Sequence, residues 1–222
     1  MSDSNYYLTD FSHMAIVGAT GAGDKFGGKS VLANWMYEQS VQTGFVDIAV
    51  YFNIKGHSFV RGTKCYSLED MVKAYNSGKR LINFVPTDPI LPKHSRVIDA
   101  MRKVSGQKLF VHDESHLFDD SPQLNWCFRQ GGNVGEKYRT GNIRSIAVTQ
   151  HPWDLEQSIR NNTPLITWIG PKTAEAKRYF QTLQLEATFR DIPDDLEPYH
   201  WCVIDGGELI DINSPVPSDY AN

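Results

Sequence analysis

The chain has 222 residues, 41% hydrophobic and 22% charged, with a formal net charge of −4. That is enough chain for one sizeable domain with its own core, and the composition is ordinary for a soluble globular protein. A net negative charge excludes a global basic field, so any nucleic-acid contact has to rest on local basic character. No apolar run approaches the roughly 18 residues of a membrane span, and MSDSNYYLTDF lacks the basic-then-apolar form of a signal peptide. Cys65, Cys127 and Cys202 are odd in number and form no C-x-x-C, which fits a reducing compartment and argues against zinc.

Residues 1–12 are polar with three aromatics and read as an N-terminal arm. An apolar run, Met14 to Val17, then leads into a loop with Gly18, Gly21, Gly23, Gly27 and Gly28, and Lys29-Ser30 opens a helical segment to Ser40. Gly23-Asp24-Lys25-Phe26-Gly27-Gly28-Lys29-Ser30 is a strict match to G-x-x-x-x-G-K-[ST] between a strand and a helix. Glycines let backbone N–H groups turn inward around phosphates. The lysine reaches the β/γ-phosphates, the serine hydroxyl meets Mg²⁺, and the helix N-terminus adds its dipole. The motif starts five residues later than the end of the strand demands. Either Gly18-Ala19-Thr20-Gly21-Ala22-Gly23 is the cradle with Asp24–Gly28 inserted, or the cradle is Gly23–Ser30. The second frame is preferred, because Lys29 must follow its cradle directly to open the helix.

Downstream, the pattern predicts strands over 45–52, 80–85, 108–112, 143–149 and 165–169. Helices are predicted over 30–40, 67–77, 94–104, 123–130, 154–160 and 173–183. Ser67-Leu68-Glu69-Asp70 is a capping signature. Residues 53–66 carry Lys55, His57, Arg61 and Lys64 without an acid, and read as a solvated loop or a surface facing DNA phosphate. Asp205-Gly206-Gly207 between two apolar runs signals a hairpin. Alternating strands and helices imply an α/β fold with a mainly parallel sheet covered on both faces and a C-terminal β-hairpin. One domain is expected over 13–212, followed by a flexible tail over 213–222.

Two further elements carry chemistry. Leu109-Phe110-Val111-His112-Asp113-Glu114 is an apolar strand ending in two acids, as a Mg-NTP hydrolase requires. Asp113 is expected to hold the metal opposite Ser30, and Glu114 to orient and deprotonate the attacking water. Thr149-Gln150 ends a neighbouring strand with an amide able to sense the γ-phosphate or its water.

These motifs, a basic glycine-bearing stretch (EKYRTGN) and the closing Thr149-Gln150-His151-Pro152 together resemble the HerA/FtsK superfamily of P-loop ATPases over about residues 13–170. The small size is nearest the viral genome-packaging branch. The resemblance implies a RecA-like fold, ATP and Mg²⁺ as cofactors, and hydrolysis-driven translocation of double-stranded DNA by a homo-oligomer, a hexameric ring. It also implies capsid-vertex or inner-membrane virion proteins as partners, and a location in host cytoplasm or virion. An arginine from a neighbouring subunit reaches the γ-phosphate in such rings. Arg139 is the first candidate, with Arg129, Arg144 and Arg160 as alternatives. A filamentous-phage-type (zonula occludens toxin-like) assembly or DNA-export ATPase and a non-pumping nucleotide-dependent scaffold are the competing expectations.

Overall fold

The computed structural model describes residues 13–18, 28–118, 121–131, 142–150, 155–170, 172–194, 196–197 and 199–220. Strand β1 (His13–Gly18) is buried along its whole length. Its alternate residues serve two layers, Met14 and Ile16 on one face and Ala15 and Val17 on the other. A strand apolar on both faces has to lie inside a sheet that is itself covered twice, and β1 does. It pairs in parallel with β6 (Ile143–Thr149) on one side and β7 (Leu165–Ile169) on the other.

The remaining strands are β2 (Ile48–Phe52), β3 (Thr63–Cys65), β4 (Leu81–Phe84), β5 (Lys108–His112), β8 (Trp201–Asp205) and β9 (Glu208–Asn213). The nine form one sheet in the order β3-β4-β2-β5-β6-β1-β7-β8-β9. Pairing is parallel from β3 through β7 and antiparallel for β7–β8 and β8–β9. The predicted hairpin is present. Gly206 and Gly207 both take positive φ, 55° and 92°, which a two-residue turn between twisted strands requires.

Helix α1 (Lys29–Gln42) covers one face through Leu32, Ala33, Met36 and Tyr37. The other face is covered by α2 (Leu68–Asn76), α3 (Ile90–Met101), α4 (Pro122–Trp126) and α5 (Gln157–Asn161), and beside β1 and β7 by α6 (Ala174–Thr182) and α7 (Glu186–Asp191). Ser67 accepts from the Asp70 backbone N–H at 3.1 Å, while the Asp70 carboxylate accepts from the Ser67 N–H at 3.1 Å, completing the capping box. The three cysteines are free and buried. No helix among the described residues is long and apolar enough to cross a membrane.

Several boundaries differ from expectation for local reasons. Strand β2 begins at Ile48, because the residues before it are engaged elsewhere: the Val46 N–H donates to the Ser40 carbonyl at the end of α1, Asp47 exchanges hydrogen bonds with the Gln107 backbone, and the Phe45 ring lies under the Arg144 guanidinium. Helix α3 begins at Ile90, with Pro92 in its first turn, where a missing N–H costs nothing. After Trp126 the predicted helix widens into a π-turn, Cys127–Gly131. The stretch 53–66 supplies β3, an edge strand that was not expected. The tail, expected to be flexible, is placed as far as Tyr220: its phenol donates to Glu38 on α1, and Arg61 pairs with Asp219 at 2.9 Å.

Candidate nucleotide site

The parallel strands all end at the same edge of the sheet, and the two acids, the amide and the lysine gather there. β1 delivers Gly18, β5 delivers Asp113 and Glu114, and β6, between them, delivers Gln150. Lys29 opens α1, and its ammonium donates to the Gly18 carbonyl at 3.2 Å. Glycine is needed at Gly18, where a Cβ would run into the Ile169 backbone carbonyl, and less so at Gly28, which faces the tip of the Ile169 side chain. A Cβ on Gly18 would overlap Ile169, and one on Gly28 would come within 2.6 Å of Ile169 Cδ1.

The Ser30 hydroxyl donates to the Asp113 carboxylate at 3.2 Å, and the Tyr51 phenol approaches the Ser30 carbonyl at 3.4 Å. Asp113 is fully buried. Burial, reinforced by the neighbouring Glu114, pushes its carboxyl up to about 6. Lys29 is displaced the opposite way, to about 8, chiefly by burial, against the pull of Glu114. Both shifts favour the neutral form. An anion beside Lys29 and a cation beside Asp113 would restore the charges that burial penalises.

Glu114 sits at φ 53°, an uncommon backbone state for a non-glycine residue. Its carboxylate accepts from Gln150 Nε2 at 3.1 Å, meets the Lys55 ammonium, and lies 3.6 Å from His116 Nδ1. Ser115 fastens the turn to β6 by donating to the Val148 carbonyl at 3.1 Å. His57 Nε2 stands 4.0 Å from Asp113, and burial followed by the nearby Lys55 lowers its pKa.

Lys29, Ser30, Lys55, His57, Asp113, Glu114 and Gln150 line a cleft of about 800 Å³ together with Ile169, Tyr199, Trp201 and the tail residues Pro215 to Ser218. Among the described residues no group of three or more His, Cys, Asp or Glu could hold a metal ion. The hydroxyl of Ser30 beside the carboxylate of Asp113 fits a hard cation that keeps waters and phosphate oxygens as its other ligands, as Mg²⁺ does.

Of the residues singled out in the sequence, Gly28, Lys29, Ser30, Asp113, Glu114 and Gln150 all line this cleft. Gly23, Asp24, Lys25, Phe26 and Gly27, and with them the choice of loop frame, lie outside the described residues, as does Arg139. Arg129 is exposed on the π-turn, and Arg144 lies over Phe45. Lys55 and His57 point into the cleft, and Arg61 holds the tail. Sequence reasoning missed Tyr51, Lys55 and Tyr199 as parts of the site. A strand-end tyrosine and a loop lysine carry no motif, and only the packing brings them in.

No family model matches the chain, and no curated protein does. Solved structures do. The genome packaging NTPase B204 from Sulfolobus turreted icosahedral virus 2, in complex with AMPPCP, is 16% identical with a TM-score of 0.67, and the match covers 93% of this chain and 98% of that one. The pCW3 conjugation coupling protein TcpA, in monomer form with ATPγS, is 16% identical with a TM-score of 0.59, covering 91% of this chain and 60% of that one. VirB4 of Thermoanaerobacter pseudethanolicus is 10% identical with a TM-score of 0.55, covering 91% and 89%. The fold is that of a RecA-like P-loop NTPase. The motif resemblance to HerA/FtsK-type ATPases and the likeness in fold to these solved structures agree.

Proposed function

We propose that this chain hydrolyses ATP to translocate double-stranded DNA, and that its task is packaging a viral genome. The observation that carries the reading is the pair of contacts at the sheet edge, Ser30 with Asp113 and Gln150 with Glu114. One pair suits a nucleotide-bound Mg²⁺, and the other suits a water attacking the γ-phosphate. The likeness to a protein described as a genome packaging NTPase supports the packaging assignment.

In this reading Lys29 holds the β- and γ-phosphates, and Ser30 and Asp113 hold the Mg²⁺. The ion would neutralise charge developing on the phosphate oxygens. Glu114 accepts a proton from the attacking water, which Gln150 orients. The water oxygen bonds to the γ-phosphorus as the bond to the β–γ bridging oxygen breaks, leaving ADP and inorganic phosphate. Arg139 is the proposed finger completing the neighbouring subunit's site in a hexameric ring. Losing it should lower turnover by roughly a thousandfold.

ATP turnover measured with and without double-stranded DNA tests the reading. Stimulation by DNA is the expected result, and a rate indifferent to DNA overturns the motor and leaves a nucleotide-dependent scaffold. Mixing Arg139→Ala with Lys29→Ala subunits should restore part of the activity if the finger acts between subunits.

A further inference from the structure

Both margins of the sheet are open. β3 and β9 end the strand order, so among the described residues each has a neighbouring strand on one side only. The unpaired backbone of an edge strand is a ready template for another chain. The two margins carry opposite charge. Residues 61–80 hold five bases against two acids, whereas residues 186–211 hold eight acids against Arg190 alone. The two acids of the basic margin are occupied within it: Asp70 closes the α2 capping box, and Glu69 stands 4.0 Å from Arg96.

The same margins carry exposed apolar side chains. Tyr66, directly after β3, is 52% exposed, Val72 on α2 45%, and Ile212 on β9 47%. Charge alone guards an edge strand, whereas tyrosine, valine and isoleucine left in water offer a partner apolar surface to cover. The strand registers put like chemistry on matching faces. Lys64 pairs with Asn83, whose amide donates to the Val60 carbonyl on the α1 side of the sheet. Asp211 pairs with Val203, also on the α1 side, and Glu208 alternates with Leu209, which packs on the opposite side. Ile212 pairs with Cys202 on the face that α6 and α7 cover, and α2 covers that face at the other margin. Directions agree as well: β9 is antiparallel to β8, which is antiparallel to β7, so β9 runs the same way as β3.

We propose that the two margins are the halves of one head-to-tail interface between copies of this chain. The β3 margin of one copy seats beside the β9 margin of the next, with Lys64 against Glu208 and Asp211, and Tyr66 and Val72 against Ile212. Matching directions and faces let a second copy, displaced along the sheet, bring these groups together without inversion. Because the two surfaces differ, the contact repeats from copy to copy and closes into a ring where the rotation between copies closes. The proposal rests on the proposed function for the ring alone and assigns the surface that holds it.

Sedimentation of the full chain with MgATP tests this, with circular dichroism as the check on folding. Lys64→Glu and Glu208→Lys should each weaken assembly by roughly tenfold or more. Both reversals in one chain should restore it, because the pair re-forms with its signs exchanged. Ile212→Ser should weaken assembly, and neither reversal should rescue it. Assembly unchanged by both single reversals, or not recovered in the double variant, overturns the interface and leaves the ring to another surface. A Lys64→Glu chain that assembles normally but loses stimulation by DNA gives the basic margin to DNA, which also overturns it. An unaltered chain that sediments as a monomer overturns the interface and the ring together, a different result.

Discussion

Gln150 donates its amide N–H to Glu114 Oε1 at 3.1 Å, and the Lys55 ammonium closes on the same oxygen. Groups from two separate segments thus fix one carboxylate beside Ser30 and Lys29 in the cleft. If Glu114 takes the proton from water, Glu114→Gln removes the acceptor while keeping the shape. ATP binding should persist and turnover should fall by roughly 10²- to 10⁴-fold. Single-turnover hydrolysis alongside equilibrium binding measures both. Hydrolysis at the original rate would remove Glu114 from the mechanism.

Ser30→Ala tests the other pair. The substitution deletes the hydroxyl that reaches Asp113 and leaves a helix residue of better propensity in its place. The Mg²⁺ concentration giving half-maximal hydrolysis should rise by roughly tenfold, with excess Mg²⁺ recovering much of the rate. An unaltered Mg²⁺ dependence would mean that Ser30 is not a ligand.

Acid should destabilise the protein through its buried histidines. His13 is held down at about 4 by burial and then by Arg144, and His94 at about 3 by burial. Both titrate near 6.5 when unfolded, so the unfolded chain binds more protons below that value. Their contribution is therefore complete above pH 6.5 and is lost as pH falls toward 4. Asp113, raised to about 6, acts in the opposite sense with a smaller displacement. For His13 alone the loss by pH 4 is about 3 kcal/mol. Thermal melts from pH 7.5 to 4.5 should show this decline, and His13→Phe, beside Phe128, should flatten it. A melting temperature that rises on acidification would contradict the assignment.

Ser67→Ala removes one half of the capping box and should cost about 1 kcal/mol in a denaturant titration, with no effect on nucleotide binding. Helix α2 covers the edge of the sheet remote from Lys29, so a change in ATP affinity would show that the two ends of the sheet are coupled.

The legible parts of the molecule were those written in local chemistry. Ser67 and Asp70 three residues apart specify a cap, and an apolar run ending in Asp113-Glu114 specifies a buried strand with acids at its tip. Gln150 could be singled out because it ends a strand, and the parallel order places that strand beside β5. Lys55, Tyr51 and Tyr199 were not legible in the same way. Their roles depend on contacts between segments distant in the chain, such as Lys55 with Glu114. In the tail, proline, serine and aspartate suggest an unpacked end, and the contacts of Asp219 with Arg61 and of Tyr220 with Glu38 are ones that no local pattern reveals.

Strand β1 is made near the start of the chain but fits between two strands made much later: His13 faces Ser145, and Met14 faces Leu165. Its apolar residues therefore have no sheet neighbours until β6 and β7 have been synthesised, and each pairing closes a loop of well over 100 residues, a slow kind of contact to form. Gly18 and Gly28 both pack against Ile169, at the end of β7. The lysine-bearing end of the nucleotide cleft thus cannot take its final shape during the first two thirds of translation, and a nascent chain halted before β7 should be unable to retain ATP.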